Sequence, residues 1–260
     1  MLRFLVNNLT NRALPTIICL MFTAFSVVPA MGALSEGLLG HWALDGDTSD
    51  STGNNPDGII IGEPTWTEGH FEKALSFVGP RDTVNLGTLN PSEGTGEFSF
   101  GLWTNWAGNN TIWQLIFSKR WYQWENEKTM WSFYLDRATD ELLMLSPVNP
   151  AIFRIPMVEE GRWAHLAVTY DGTDAILYVD GKEAARDPFK MSSGVDSPLV
   201  LSGTVEQKEG YNGIIDHLFL YNRVLAPDEL QSLADGATLK DALAVKASSK
   251  LGITWGRIKQ

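Results

Sequence analysis

Period-two alternation of apolar and polar residues, in many short runs, constrains this chain more than any other feature. Successive side chains of a strand point to opposite faces, so each such run buries one face and exposes the other. Phe98-Ser99-Phe100-Gly101-Leu102-Trp103 alternates large with small. Ala74–Val78, Thr83–Leu86, Thr111–Phe117, Met130–Leu135 and Glu141–Leu145 read the same way. So do Trp163–Tyr170, Ala175–Val179, Leu199–Leu201 and Ile214–Tyr221. Gly, Asp, Asn and Pro punctuate the runs, and Asp180-Gly181 is a two-residue hairpin signal. The pattern predicts an all-β, two-sheet antiparallel β-sandwich. One segment before the tail is helical. Pro227 opens it, Asp228 and Glu229 follow in the first turn, Leu230 and Leu233 face inward, and Gly236 ends it.

The two ends differ from the body. Residues 1–30 read as a secretory signal peptide, with Arg3 and Arg12 before an apolar stretch and cleavage expected after Ala30 or Ala33. Cys19 is the single cysteine and lies in that stretch, so a mature chain would have no thiol. Thr16-Ile17-Ile18 before it lacks the small residue of a lipoprotein signal. Export without disulfides points to bacterial-type secretion, to the periplasm, the cell surface or the medium, with stability supplied by the core. Residues 34–236 form the predicted domain, and 237–260 form a basic tail carrying Lys240, Lys246, Lys250, Arg257 and Lys259 against Asp241. The whole chain has a formal net charge of −11 despite that tail. An acidic body would repel phosphates, which argues against nucleic acid. No second segment is apolar enough to span a membrane.

Four segments in order resemble the bacterial, secreted type of the laminin-G-like, concanavalin A-like lectin/glucanase jelly-roll family. They are Gly40-His41-Trp42-Ala43-Leu44-Asp45-Gly46-Asp47 with Asp50-Ser51-Thr52-Gly53-Asn54, and Lys73-Ala74-Leu75-Ser76-Phe77 with Val84-Asn85-Leu86-Gly87. The third and fourth are Trp163–Gly172 with Leu177–Gly181, and Tyr211–Asp216 with Leu220–Leu225. The resemblance implies a jelly-roll sandwich with one short C-terminal helix. The fold hosts lectins, adhesion modules, enzymes and spacers alike. Two positions depart from the family pattern. His217 stands where an acid usually follows Asp216, and Ala226 stands where a Ser-type helix cap is usual.

Calcium is the expected cofactor, in a structural role. It needs six to eight oxygens, and residues 45–58 supply Asp45, Asp47, Asp50, Asn54, Asn55 and Asp57 on a glycine-punctuated loop. On its own this loop reads equally well as a solvated turn, since Asp and Asn favour turns. The resemblance implies that such a loop pairs with Asp216. The expected ligand set is therefore Asp50 and Asp216 through carboxylates, carbonyls around Asn54, and Asp45.

Ten tryptophans are many for 260 residues. Trp42, Trp103 and Trp163 fall in strand patterns and are expected in the core. Trp106, Trp121, Tyr122 and Trp124 fall at strand ends among Asn105, Asn109, Asn110, Gln123 and Asn126. Aromatic faces beside amides suit the apolar face and hydroxyls of a sugar. Trp106, Trp121, Tyr122, Trp124 and Asn109 are thus the candidate glycan contacts, with capping of the sandwich as their other reading. No catalytic residue is assigned. The Glu-x-Asp-x-x-Glu triplet of family 16 glucanases does not occur, and His41, His70, His165 and His217 are scattered. The expected function is a secreted, non-catalytic glycan-binding module. A glycoside hydrolase and a purely structural or adhesion module are the alternatives.

Overall fold

The computed structural model describes residues 33–239 and 243, apart from 110–112, 126 and 137. The signal segment 1–30, Asn110, Asn126 and most of the tail lie outside the described residues. After a short 3-10 turn (Ala33–Ser35) the strands are β1 (Leu38–Trp42), β2 (Ile59–Ile61), β3 (Thr65–Glu68), β4 (Lys73–Phe77) and β5 (Thr83–Asn85). Then follow β6 (Phe98–Trp106), β7 (Gln114–Arg120), β8 (Thr129–Leu135), β9 (Glu141–Leu145) and β10 (Ala151–Pro156). The last are β11 (Trp163–Tyr170), β12 (Asp174–Val179), β13 (Lys182–Pro188), β14 (Leu199–Leu201) and β15 (Gly213–Tyr221), before helix α1 (Pro227–Ala234).

These strands make two antiparallel sheets. The eight-stranded sheet runs β13-β12-β11-β6-β15-β4-β3, with β1 also paired to β15. The seven-stranded sheet runs β10-β9-β8-β7-β14-β5-β2. The fold is the expected jelly-roll sandwich with one short helix. The β11–β12 hairpin pairs Leu166 with Val179 through Tyr170 with Ala175. At Asp180-Gly181 both residues have positive φ, 50° and 76°, the backbone that a two-residue hairpin loop requires.

Five strands, β1, β2, β3, β10 and β13, lie outside the alternating runs, and each lies at a sheet edge. β2 is a run of three isoleucines in which Ile59 and Ile60 remain exposed. β3 is an edge strand of mixed exposure, and the register of β10 shifts against β9. Alternation fails as a signal where neither face is fully buried.

The core between the sheets is aromatic. Phe100 stacks on Trp131 at 5.3 Å and meets Phe117 edge-on at 5.1 Å, while Phe98 stacks on the other part of the same cluster. Trp131 is fully buried at its centre. A second apolar cluster lies where α1 covers the eight-stranded sheet, with Leu230 and Leu233 against Tyr178, Phe219 and Tyr221. Ala226 supplies no side-chain cap to α1. Instead the Glu229 carboxylate accepts the Ala226 N–H, and Arg223 holds Glu229 at 2.6 Å. Half of a capping box braced by an ion pair replaces the usual cap.

Candidate functional site

Strand alternation leaves an apolar patch on the outer face of the seven-stranded sheet. Phe133 and Leu135 of β8, and Leu142 and Met144 of β9, point into the core. The residues between them, Tyr134 and Leu143, therefore point outward, where they cluster with Leu115, Trp113 and Leu145. The β7–β8 loop folds back over this face. Arg120 at the end of β7 organises it by donating from Nε to the Trp121 carbonyl at 2.7 Å and from Nη2 to the Tyr122 carbonyl at 2.5 Å. Its Nη1 donates to the Tyr134 hydroxyl, which in turn donates to Glu209 Oε2 at 2.5 Å. The Trp124 ring covers the guanidinium at 5.2 Å. Glu206 accepts the Tyr122 N–H at 3.1 Å, fastening the loop from the other side.

The result is a groove of about 410 Å³. Trp113, Tyr134 and Leu145 form its floor, Tyr122, Gln123 and Trp124 one wall, and Glu209 the other. Burial pushes the Tyr134 hydroxyl pKa far up, so it stays protonated and donating. Rings, one carboxylate and one amide around an open trough can pack a sugar's C–H face and take its hydroxyls.

Of the five expected ligand contacts, Tyr122 and Trp124 line this groove and are 45% and 44% exposed. Trp121 is 37% exposed on the same loop but does not line it. Trp106 is corrected to a core residue. It ends β6 with 8% exposure, packs in the main cluster, and donates Nε1 to Gln114 Oε1. Asn109 is exposed elsewhere and donates to Asp140 Oδ1 at 2.6 Å. Arg120, Tyr134 and Glu209 were missed because they come from three separate segments, and only folding places them together. Trp163 is half-buried rather than core, and Trp103 stacks on His70 at 3.6 Å on the outer face of the other sheet. Trp42 is fully buried as expected.

The expected calcium residues separate into two places. Asp50 organises its own loop. Its Oδ1 accepts from the backbone of His41 and Thr52, and its Oδ2 from Thr52 Oγ1, the backbone of Asn54 and Asn55, and Asn55 Nδ2. Burial alone would raise this carboxyl, but these hydrogen bonds outweigh it and hold it below the usual carboxylate range. Asn54 takes part through its backbone N–H. A carboxylate already spent on six donors is a poor metal ligand.

Asp216 is different. Along β15, Gly213–Ile215 pair with β4 and Leu218–Tyr221 pair with β1, so Asp216 and His217 fall in the gap between two neighbours. Asp45, just past β1, and the Gly69–Lys73 turn before β4 flank the same gap. Asp216 Oδ2 accepts the Phe71 N–H at 3.0 Å, while the buried Oδ1 has no hydrogen-bond partner. His217 Nε2 stands 3.9 Å from it. A side chain at Gly69 would collide with Asp216 Oδ2 and with the carbonyl oxygens of Phe71 and Lys73, so three oxygens crowd this glycine. Burial, with the nearby Asp45 charge adding to it, pushes the Asp216 carboxyl up to about 7. Among the described residues, no three His, Cys, Asp or Glu side chains are grouped to hold a metal ion. An ion here would draw on two carboxylates and backbone carbonyls, a donor set that suits calcium.

The four histidines, scattered in sequence, gather on the outer face of the eight-stranded sheet. His41 and His217 lie 5.3 Å apart, and His165 packs 5.4 Å from Trp103 and 5.7 Å from Phe219. His41 and His165 are buried, and desolvation lowers their pKa values to about 3 and about 4. Both are neutral rings of the packing.

Comparison with known proteins agrees with this architecture. No curated protein matches the chain. Domain 4 of an extracellular GH43 arabinanase from Geobacillus stearothermophilus, in complex with arabinotriose, superposes with a TM-score of 0.63 at 23% identity, covering 76% of this chain and 98% of that one. The binding domain of botulinum neurotoxin DC in complex with SialylT gives 0.58 at 13%, covering 78% and 52%. Trypanosoma rangeli sialidase in complex with sialic acid gives 0.56 at 14%, covering 80% and 33%. The chain thus spans about half of the toxin binding domain and a third of the sialidase. Among the described residues no helix is long and apolar enough to cross a membrane. The family model described as the concanavalin A-like lectin/glucanases superfamily matches residues 79–231, more than half of the sequence, and the chain belongs to that superfamily.

Proposed function

We propose that the domain is a non-catalytic glycan-binding module of an exported protein, braced by one calcium ion. The groove on the seven-stranded sheet carries this reading. Its wall presents Tyr122 and Trp124 half-exposed above a floor of Trp113, Tyr134 and Leu145. Glycoside hydrolysis needs two carboxylates on either side of the scissile bond, and Glu209 is the sole carboxylate among the described lining residues. Similarity to an arabinanase domain solved with arabinotriose favours a saccharide ligand. Export rests on the character of residues 1–30 and on the lack of cysteine beyond Cys19.

The ion would draw on the carboxylates of Asp216, whose buried Oδ1 has no hydrogen-bond partner, and Asp45, with the carbonyls of Phe71 and Lys73 beside them. There it would supply electrostatic cross-linking of β1, β4 and β15. Asp50 and Asn54 act as the scaffold of the adjoining loop.

Affinity gel electrophoresis against linear arabinan, xylan, galactan and mixed-linkage glucan tests the ligand class. Retardation by at least one polymer is expected, and Tyr122→Ala with Trp124→Ala abolishes it without moving the melting temperature. A double variant retarded as strongly as the parent places the site elsewhere. Release of reducing ends from the retained polymer would make the protein a hydrolase.

A further inference from the structure

A second cavity, of about 590 Å³, lies on the other side of the 203–210 loop from the aromatic groove. It is lined by Gly62 and Glu63 after β2, by the 79–82 turn between β4 and β5, and by Gln207. The loop that separates the two cavities contributes Glu209 to the groove and Gln207 to this second space. The loop leaves the seven-stranded sheet at the end of β14, with β7 and the groove strands β8 and β9 on one side of it and β5 and β2, which flank the second cavity, on the other. Leu201 pairs with Val84 and with Phe117, and Ile61 pairs with Thr83.

The dividing loop is a fixed partition rather than a lid. Ser202, Gly203, Gln207 and Glu209 all have φ near +60°, a backbone that only dense support maintains in residues with side chains. That support comes from both sides. Leu115 N–H donates to Glu209 O and Gly203 N–H to Leu115 O, while Gly210 N–H donates to Pro80 O. Gly210 fits so closely against the 79–80 backbone that a side chain there would collide with it.

The two cavities differ in chemistry. The groove has rings. The second cavity has polar groups: Asp82 accepts the N–H groups of Glu63 and Val78 and so shapes the turn, leaving Glu63, Arg81 and Gln207 to meet a ligand. Such groups exchange hydrogen bonds with water for hydrogen bonds with hydroxyls, at little net gain each. They become effective once a ligand is already anchored next door. From β8 to β2 is four strand spacings, about 19 Å, longer than one sugar ring. Along this path the acids Glu63, Asp82, Glu206 and Glu209 exceed the cations Arg81, Arg120 and Lys208 by one, so there is no cationic patch to draw a polyanion.

We infer that the aromatic groove and the 62–63/79–82 cavity are two parts of one extended site, astride the 203–210 loop, for several consecutive units of a neutral polysaccharide. This rests on the glycan-binding reading and adds the ligand's length and charge class.

The test uses the full chain and size-fractionated oligomers of whichever of arabinan, xylan, galactan or mixed-linkage glucan is retained. Isothermal titration gives the gain in affinity from the shortest binding oligomer to the longest. Arg81→Ala with Gln207→Gly, where glycine keeps the left-handed backbone, should cut that gain by about tenfold, at an unchanged melting temperature. Trp124→Ala should abolish binding of short and long oligomers alike. A double variant with the parent's full gain overturns the extended site while leaving glycan binding in place. Equal loss for the shortest oligomer and the longest also overturns it, since the polar cavity would then be the primary subsite. A parent that binds none of the four polymers removes both readings together.

Discussion

Arg120 Nη1 lies 3.3 Å from Glu209 Oε2, and the pair joins the β7–β8 loop to the β14–β15 loop across the groove. Arg120 is sealed, whereas Glu209 remains open to a ligand at its edge. The guanidinium is spent on two carbonyls, the Tyr134 hydroxyl and this carboxylate, so it acts as the loop's anchor.

Arg120→Ala should therefore destabilise the domain by about 3 kcal/mol, because it strands two loop carbonyls and leaves Glu209 without its countercharge. Glu209→Gln keeps a hydrogen-bond acceptor for Tyr134 and should cost about 1 kcal/mol. Urea midpoints compare the two. Equal midpoints would mean that the loop is held by something other than Arg120.

On the proposal that calcium binds the gap around Asp216 in the folded chain alone, it should raise the melting temperature in proportion to the logarithm of its concentration. Asp216→Asn should remove this dependence. Asp50→Asn should lower the melt by the same amount in chelator and in millimolar calcium, because Asp50 serves its own loop. A calcium response lost in Asp50→Asn and kept in Asp216→Asn would exchange the two roles.

Acid should weaken the fold through the buried imidazoles. The folded-state pKa of His165 is about 4 against 6.5 for the free side chain, so between these values the unfolded chain binds the extra proton. Its contribution is whole above pH 6.5 and drains away as pH falls to about 4, up to about 3 kcal/mol. His165→Phe keeps the ring packing against Phe219 and should flatten the pH dependence of the urea midpoint over this window. An unchanged slope would show that His165 does not contribute to it.

Trp131→Ala should cost about 3–5 kcal/mol, since its ring centres the intersheet core. Trp124→Ala should stay within about 1 kcal/mol, and half-buried Trp163→Ala should fall between them. Chemical denaturation of the three variants checks the ranking. A Trp124 variant as unstable as the Trp131 variant would make the groove wall part of the core.

The sandwich was legible because alternation is local. Phe98–Trp103 or Trp163–Tyr170 declares its buried face within a few residues, and Asp180-Gly181 declares its turn. Pro227 and Asp228-Glu229 likewise announce α1. The lining of the aromatic groove was half legible. Tyr122 and Trp124 stood out as aromatics in a polar stretch, but the same rule admitted Trp106, which the end of β6 carries into the core.

By itself the sequence determined the fold class, the helix and the aromatic loop, since each depends on neighbours within one or two turns of chain. Tertiary structure alone decided which groups meet. Arg120, Tyr134 and Glu209 converge because β7 and β8 pair and the 203–210 loop returns beside them. Asp216 is left with an unpaired oxygen because β15 changes partner from β4 to β1 at that residue. Four dispersed histidines share one face for the same reason. Strand pairing brings together residues far apart in the chain, and the local pattern holds no record of that register.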